Sequence, residues 1–587
     1  MEDKYNWDLT DIFKNTEKYD DCKNELNKNL EQIKEFQGKL NCAEIICKCY
    51  NIYEKALEKL EKIYAYGMLT YHLDMSNQDS IKLFKEVEGI ETNFSMVTAF
   101  IVPEITKIDE NELRKIMNDS SLEKYKRVLN DILEEKEHIL SESQEKLLAN
   151  LGEVLNSSEN TYDILTNAEF KFGNIIDENG KSQELTDGLY TRFLRSRDRN
   201  VRIQAFDLMY NKYSEFMNTI TELYLAKVKS YTITSKIRNY KSSLERAVKH
   251  DDSSLKVYDK LIESVNKNIT VNHKFLELKK KMLQLDEMHF YDIYLNPFEL
   301  KPDKISFEDA KNEVLKALKI LGEEYTNKLK EAFENRWIDV YEKTSKRGGA
   351  YSLGVYGVHP YVLTNFVESK RDVSTIAHEL GHSMHSYYSN KTQNIIDSNY
   401  TIMVAEVAST VNEILLASYQ IQNEKDKNKK AEIIYELLEM IRATLFRQAM
   451  FAEFEKEVHE KIEQNQMLSS EDLCKIYYEL NKKYFGKSTV IDEKIKYEWL
   501  RIPHFYSCFY VYKYATGISS AIAIASKILK GEPGFVEKYI DMLKQGCSKK
   551  SIELLKMVDV DLESTKPYED AIQFYNEKIE ELENLLK

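Results

Sequence analysis

From about residue 17 to 165, apolar residues recur every three or four positions among charged ones, as in "LEKLEKIYAYGMLTYHLD" and "LSESQEKLLANLGEVL". This spacing predicts a succession of amphipathic helices. No long linker, low-complexity tract or fixed-period repeat interrupts them. The segment "FKFGNIIDENGKSQELT" breaks the pattern, and its Asn179-Gly180, set between short apolar stretches, predicts a β-hairpin turn. Helical texture resumes at "RNVRIQAFDLMYNKYSEFMNTI" and holds to about residue 335. Between 348 and 381 the chain uses five of its 18 glycines, and "GGAYSLGVYGVHPYVLTNF" is a run of strand formers. Glycine within strands marks close approach of another backbone, although a plain edge hairpin uses the same residues. Helical patterning returns from Asp372 onward. With only 7 prolines in 587 residues, little punctuates these helices. The pattern therefore predicts a mainly α-helical protein with a small β element ahead of one helix.

Composition removes several partners. Lys+Arg number 83 against 98 Asp+Glu, a net charge of −15, which argues against nucleic acid or an anionic membrane as main partner. Seven cysteines, at 22, 42, 47, 49, 474, 508 and 547, are odd in number and lack zinc-type pairing, as expected of reduced thiols in a cytosolic protein. The opening "MEDKYNWDLTDIF" has no basic n-region or apolar h-region, so no secretory signal is expected. The apolar run "GISSAIAIASKIL" is too short to span a bilayer. A cytoplasmic location follows as the expectation. Oligomeric state is not set by these features.

The chain has 11 histidines, and three of them fall in "IAHELGHSMHSYY", residues 376–388. On a helix capped at Asp372, Val373, Ile376, Ala377, Leu380 and Met384 share one face, and His378, His382 and His385 lie opposite. Such a helix packs on its apolar side and turns imidazoles toward a cavity. His378 and His382 at i, i+4 can direct two ring nitrogens at one ion with Glu379 beside them, the H-E-x-x-H arrangement of zinc peptidases. His385 lies about 10 Å along the axis from His378, too far for three ligands of one straight helix to close on an ion. It is expected to pack or to support a ligand. The positions where a metzincin requires Gly and His hold His385 and Tyr388, which rejects that class.

A catalytic zinc needs a third protein ligand. The apolar segment "TIMVAEVASTVNEILLASY", residues 401–419, carries Glu406 and Glu413 on one face. Carboxylates there are costly unless they ligate or pair. Glu406 is the candidate ligand, with a buried salt bridge as its alternative. Glu413 is expected to orient a histidine by hydrogen bond, with a structural ion pair as its alternative.

"HELGHSMH", followed 28 residues after His378 by the glutamate of "AEVASTVNE", resembles the thimet oligopeptidase family of zinc metallopeptidases, and most of all its oligoendopeptidase F branch. The likeness extends to "RGGAYSLGVYGVHPYVLTN" and "RIPHFYSCFYVYKYATG", and more weakly over most of the chain. It implies one zinc ion per chain on His378, His382 and Glu406, with Glu379 as catalytic base. It further implies oxyanion donors from His504 and nearby tyrosines, Tyr514 and then Tyr510. The spacer after His504 is shorter than in thimet oligopeptidase and lacks its glycines, which leaves the choice of tyrosine open. The Gly-rich run, with Gly349, Ala350, Tyr351 and His359, would hold substrate backbone as an added strand. The implied fold is two-lobed, with a deep substrate channel and a small β-sheet beside the active-site helix. The expected division is an N-terminal helical lobe, 1–190, and a zinc peptidase catalytic region, 191–587, with the lobes interleaved. The expected activity is cleavage of internal bonds in short, unstructured peptides. A carboxypeptidase of similar build, or a peptide-binding protein that has lost catalysis, are the rivals, and an intact Glu379 argues against the second.

Overall fold

The structure is a computed structural model describing residues 3–298 and 304–587. Its architecture is mainly α-helical, as the periodicity predicts. Among the described residues the strands are short: β1 (Asn174–Ile176), β2 (Ser182–Glu184), β3 (Met288–His289), β4 (Ile338–Tyr341), β5 (Tyr351–Leu353), β6 (Tyr361–Phe366) and β7 (Thr489–Val490). The expected hairpin is present: β1 and β2 pair antiparallel, and Gly180 takes a φ of +74° between them. None of the seven cysteines is disulfide-bonded.

The chain divides into two compact units. One comprises Met1–Glu142, Pro302–Gln420 and Ile524–Val560; the other comprises Ser143–Lys301, Ile421–Ala523 and Asp561–Lys587. Both are discontinuous in sequence, and positions 190 and 191 fall together inside the second.

In the first unit, α1 (Thr16–Lys34), α2 (Ala43–Leu73) and α3 (Gln78–Thr98) pack on one another. Leu26, Ile33, Ile63, Leu69 and Val87 are fully buried between them; burying such a side chain contributes about 1.5–3 kcal/mol. Gly67 of α2 faces Val87 of α3 so closely that an added Cβ would lie 2.7 Å from its Cγ2. The same core continues into Val355, Tyr361 and Leu363, so these helices form the floor beneath the sheet. The sheet order is β4-β6-β5, with β6 parallel to β4 and antiparallel to β5, which leaves β5 an edge strand. A buried ion pair, Lys346 Nζ to Asp339 Oδ1 at 2.7 Å, fastens the β4–β5 connection. Lys346 also donates to the Thr364 carbonyl at 2.6 Å, so its charge is satisfied rather than stranded.

The histidine-bearing helix follows the sheet and spans Lys370–Thr392. It begins at Lys370, not at Asp372 as the sequence suggests. Asp372 sits three residues inside and reaches back to the Ser369 and Val367 N–H groups at 2.8 and 3.0 Å, the acidic half of a capping box. The next long helix, Ile402–Asn423, is apolar and long enough to cross a bilayer, yet 67% of its most apolar window is buried, which makes it a core helix.

Candidate metal centre

The stripe Val373, Ile376, Ala377, Leu380 and Met384 of the histidine helix is buried to 1% exposure or less. The remaining circumference is largely covered too, and His378 and His382 keep partial exposure, 26% and 17% of their side chains. Against them runs the Ile402–Asn423 helix. The two backbones touch at Gly381, where an added Cβ would lie 2.5 Å from Cα of Ser409 and 2.7 Å from the Ala408 carbonyl oxygen. Asn412 spans the same contact, donating to the Ala377 carbonyl at 3.0 Å and accepting from Tyr325 Oη at 3.1 Å. This close crossing brings Glu406 to the two histidines.

One donor atom each from His378, His382 and Glu406 lies within 4.8 Å of the other two. The two Nε2 atoms are 3.2 Å apart, and Glu406 carboxylate oxygens lie 3.7 Å from His378 Nε2 and 4.0 Å from His382 Nε2. Bond lengths of ~2.0–2.1 Å in a tetrahedral site place ligand atoms roughly 3.3–3.5 Å apart, so the donor set fits a zinc-sized ion with small side-chain adjustments. Glu413 takes up the far side of His378: Oε2 lies 3.1 Å from Nδ1, and Oε1 accepts from Ser374 Oγ at 3.0 Å. Occupying Nδ1 turns Nε2 toward the other ligands.

The electrostatics follow from packing three carboxylates around two imidazoles. Burial opposes charge on His378, yet the hydrogen bond and charge of Glu413, with Glu379 and Glu406 behind it, carry its pKa up to about 9. Burial and the neighbouring His378 charge push His382 down to about 3. Burial, helped by the charges of Glu406 and Glu413, raises Glu379 to about 7 against the pull of His378. A cation here would displace the proton on His378 and compensate the carboxylates.

His385 is not part of this cluster. It is 1% exposed and stacks on Tyr400 at 3.6 Å between ring centroids. Tyr400 in turn shares a 2.7 Å hydrogen bond with Ser386. The sequence reading overlooks Tyr400 and the role of Gly381. A mid-helix glycine costs roughly 1 kcal/mol against alanine, and that cost was the available signal that another backbone passes close by. Tyr400 left no comparable signal.

Of the Gly-rich residues, Gly349 has a φ of +83° and its carbonyl accepts from Asn365 Nδ2 at 2.7 Å. Ala350 leads into edge strand β5, whose Tyr351 Oη lies 2.8 Å from His72 Nδ1 and whose Ser352 Oγ lies 2.8 Å from Ser383 Oγ of the histidine helix. His359 is engaged elsewhere. Its Nε2 is 3.1 Å from Asp11, its Nδ1 is 2.8 Å from the Pro360 carbonyl, and its ring lies flat on Trp337 at 4.7 Å.

His504, Tyr510 and Tyr514 belong to the second unit and gather there: His504 Nε2 is 3.5 Å from Tyr514 Oη, and the two tyrosine rings meet edge-on at 5.4 Å. Burial and the charge of Arg447 lower the His504 pKa, which favours the neutral ring.

The crossing at Gly381 is directly testable. Gly381→Ala forces a methyl group into backbone atoms that cannot rotate away, an overpacking that costs about 1–3 kcal/mol. The melting temperature should fall, and metal content with it, as Glu406 is pushed from the histidines. A variant with wild-type melting and metal content would show that the helices do not meet there.

Two family patterns match the chain: "Peptidase family M3" over residues 192–574 and "Oligopeptidase F" over residues 104–172. Over 582 residues the chain is 41% identical to Oligopeptidase PepF of Bacillus subtilis, covering 99% of this chain and 87% of that one. It is 38% identical over 583 residues to an Oligoendopeptidase F homolog of Borreliella burgdorferi, covering 99% and 98%. The crystal structure of oligoendopeptidase-F from Enterococcus faecium superposes with a TM-score of 0.74 at 32% identity, covering 97% of this chain and 99% of that one.

Proposed function

Because this chain belongs to peptidase family M3, with the oligopeptidase F pattern in its N-terminal part, and is thereby a metalloendopeptidase acting on oligopeptides, we propose that its ion is zinc, held by His378, His382 and Glu406, and that Glu379 is the general base. The convergence of those three donors, with Glu379 set between the two histidines in sequence, is the observation that carries the reading. Bound there, zinc would supply Lewis acidity, lowering the pKa of water and polarising the scissile carbonyl. Glu379 takes a proton from the attacking water and returns it to the leaving amine. Glu413 holds the His378 ring through Nδ1. His504 with Tyr514 or Tyr510 donates to the developing oxyanion. The open side of β5, with Gly349 and Ala350 before it, receives extended substrate backbone as an added strand. His359 is given no substrate contact, since both its nitrogens are engaged. A cytoplasmic location and short, unstructured peptides as substrates complete the proposal.

Short peptides reach a recessed site without prior unfolding, whereas a folded domain must open core elements at close to its global stability. Digestion of a mixed peptide pool, read by mass spectrometry with and without chelator and after zinc is returned, tests the proposal. Internal cleavage that chelation stops and zinc restores is the expected result. A requirement for a free C-terminal carboxylate would make the protein a carboxypeptidase. A short peptide should also be cut faster than the same sequence within a long disordered chain, and faster still than within a folded domain. Equal rates on the two disordered substrates would defeat the recessed-site reading.

A further inference from the structure

The segment that carries His504, Tyr510 and Tyr514 turns back on itself at residues 507–510, where the Tyr510 N–H donates to the Ser507 carbonyl at 3.0 Å. The third residue of that turn, Phe509, has a φ of +58°. A turn with positive φ at its third position normally places Gly or Asn there. A bulky residue holds that conformation only where its surroundings over-determine it.

Two residues on one helix do so. Glu455 and His459 stand one turn apart on the Arg447–Glu463 helix. Glu455 is 0% exposed, and its Oε1 accepts the Phe509 N–H at 2.8 Å. His459 is 1% exposed, and its ring lies against the Phe509 ring at 4.3 Å between centroids. Tyr258 closes the remaining edge at 5.9 Å. Among the described residues, Glu455 Oε2 and both ring nitrogens of His459 have no hydrogen-bond partner. Burying polar groups so incompletely satisfied is costly, and an apolar pair would fill the space at lower cost. The polar pair therefore calls for a positional reason.

We propose that Glu455 and His459 are positioning residues: they clasp Phe509 by its N–H and its ring, fix the 507–510 turn, and so set the directions of His504, Tyr510 and Tyr514. This rests on the reading of those three as oxyanion donors. The connection is short at both ends, since the Ser507 N–H donates to the His504 carbonyl at 3.0 Å and Tyr510 directly follows Phe509. Burial raises Glu455 well above the usual carboxylate range, although the Phe509 N–H and the Lys513 charge pull it back. Burial likewise lowers His459 to about 3. Glutamine keeps an oxygen that can accept the Phe509 N–H, which makes it a close stand-in for Glu455.

The test compares Glu455→Leu, Glu455→Gln, Phe509→Gly and His504→Phe in the full-length, metal-loaded protein on a short peptide. It reads kcat, KM, melting temperature, metal content and hydrogen exchange across 503–514. Misplacing a catalytic group by an ångström costs on the order of 10²-fold, so kcat of Glu455→Leu should fall roughly 10–100-fold. KM and metal content should stay near wild type. Its melting temperature should change little, because removing the under-satisfied carboxyl offsets leaving the Phe509 N–H without its acceptor, and exchange should quicken only across 503–514. Glu455→Gln should restore kcat to within about threefold of wild type, since it keeps the acceptor. A folded Glu455→Leu protein with wild-type kcat and exchange, or a glutamine variant as impaired as the leucine one, would overturn the clasp. Should the leucine variant fail to fold, Phe509→Gly decides: it keeps the N–H bond but loses the ring, and an unchanged kcat and exchange pattern would defeat the proposal. His504→Phe judges the underlying donor reading separately. If it leaves kcat intact, that reading fails, and exchange across 503–514 still decides whether the clasp exists.

Discussion

Glu379→Gln is expected to fold, to keep its metal, and to lose ~10²–10⁴-fold in kcat, the range for removal of a general base. Glutamine preserves the shape of a side chain whose residue is only 7% exposed, so packing along the histidine helix should be unaffected. Glu379 lies outside the three-donor cluster of His378, His382 and Glu406, so the ion should stay. What the amide cannot do is accept a proton from water and deliver it to the leaving nitrogen. The loss should therefore fall on kcat and kcat/KM together, with KM little changed. Metal analysis and steady-state kinetics on the same sample check both halves. Loss of the metal in this variant would make Glu379 a ligand and dismantle the assignment of the base.

Glu406→Ala and His385→Ala should fail in opposite ways. Removing Glu406 takes one of three protein donors from the ion, and stoichiometric zinc should be lost along with activity. The side chain is 37% exposed, so little packing goes with it and the apoprotein should stay folded. Removing His385 leaves the donors untouched but empties a buried space against Tyr400. Truncating a large buried side chain to alanine costs roughly 2–5 kcal/mol, so the melting temperature should drop while zinc content holds. Metal content and melting curves for the two variants form a crossed pair of readouts. The crossed result in reverse would place His385 in the coordination sphere and remove Glu406 from it.

Periodicity made the two long helices around the metal centre legible, because their buried stripes are local properties of the chain. The i, i+4 spacing of His378 and His382 was legible for the same reason. Glu406 could be singled out because a carboxylate in an apolar helix needs a partner. What pairs residues distant in sequence was not legible. Tyr400 under His385, and Ser409 against Gly381, depend on how two helices cross, and single-helix patterns do not encode a crossing. The cap shows a milder form of the limit: Asp372 suits either an N-cap or the inner half of a capping box, and only the backbone at Ser369 decides. The glycines missing after His504 could be counted in the sequence. That Phe509 would take the left-handed conformation could not.

The proposed ligands and base, with Glu413, all fall between positions 378 and 413, within the first of the two units, whereas His504, Tyr510 and Tyr514 belong to the second. The consequence is practical. Under the proposed roles, a purified stock nicked by a protease within Ile421–Ala523 would keep its metal ligands while its oxyanion donors are disturbed, so it would hold metal and turn over slowly. Metal stoichiometry will then overcount competent molecules, and specific activity will vary between batches that look identical by elemental analysis. Specific activity, read beside metal content on the same sample, separates loss of the proposed ligands from loss of the proposed donors.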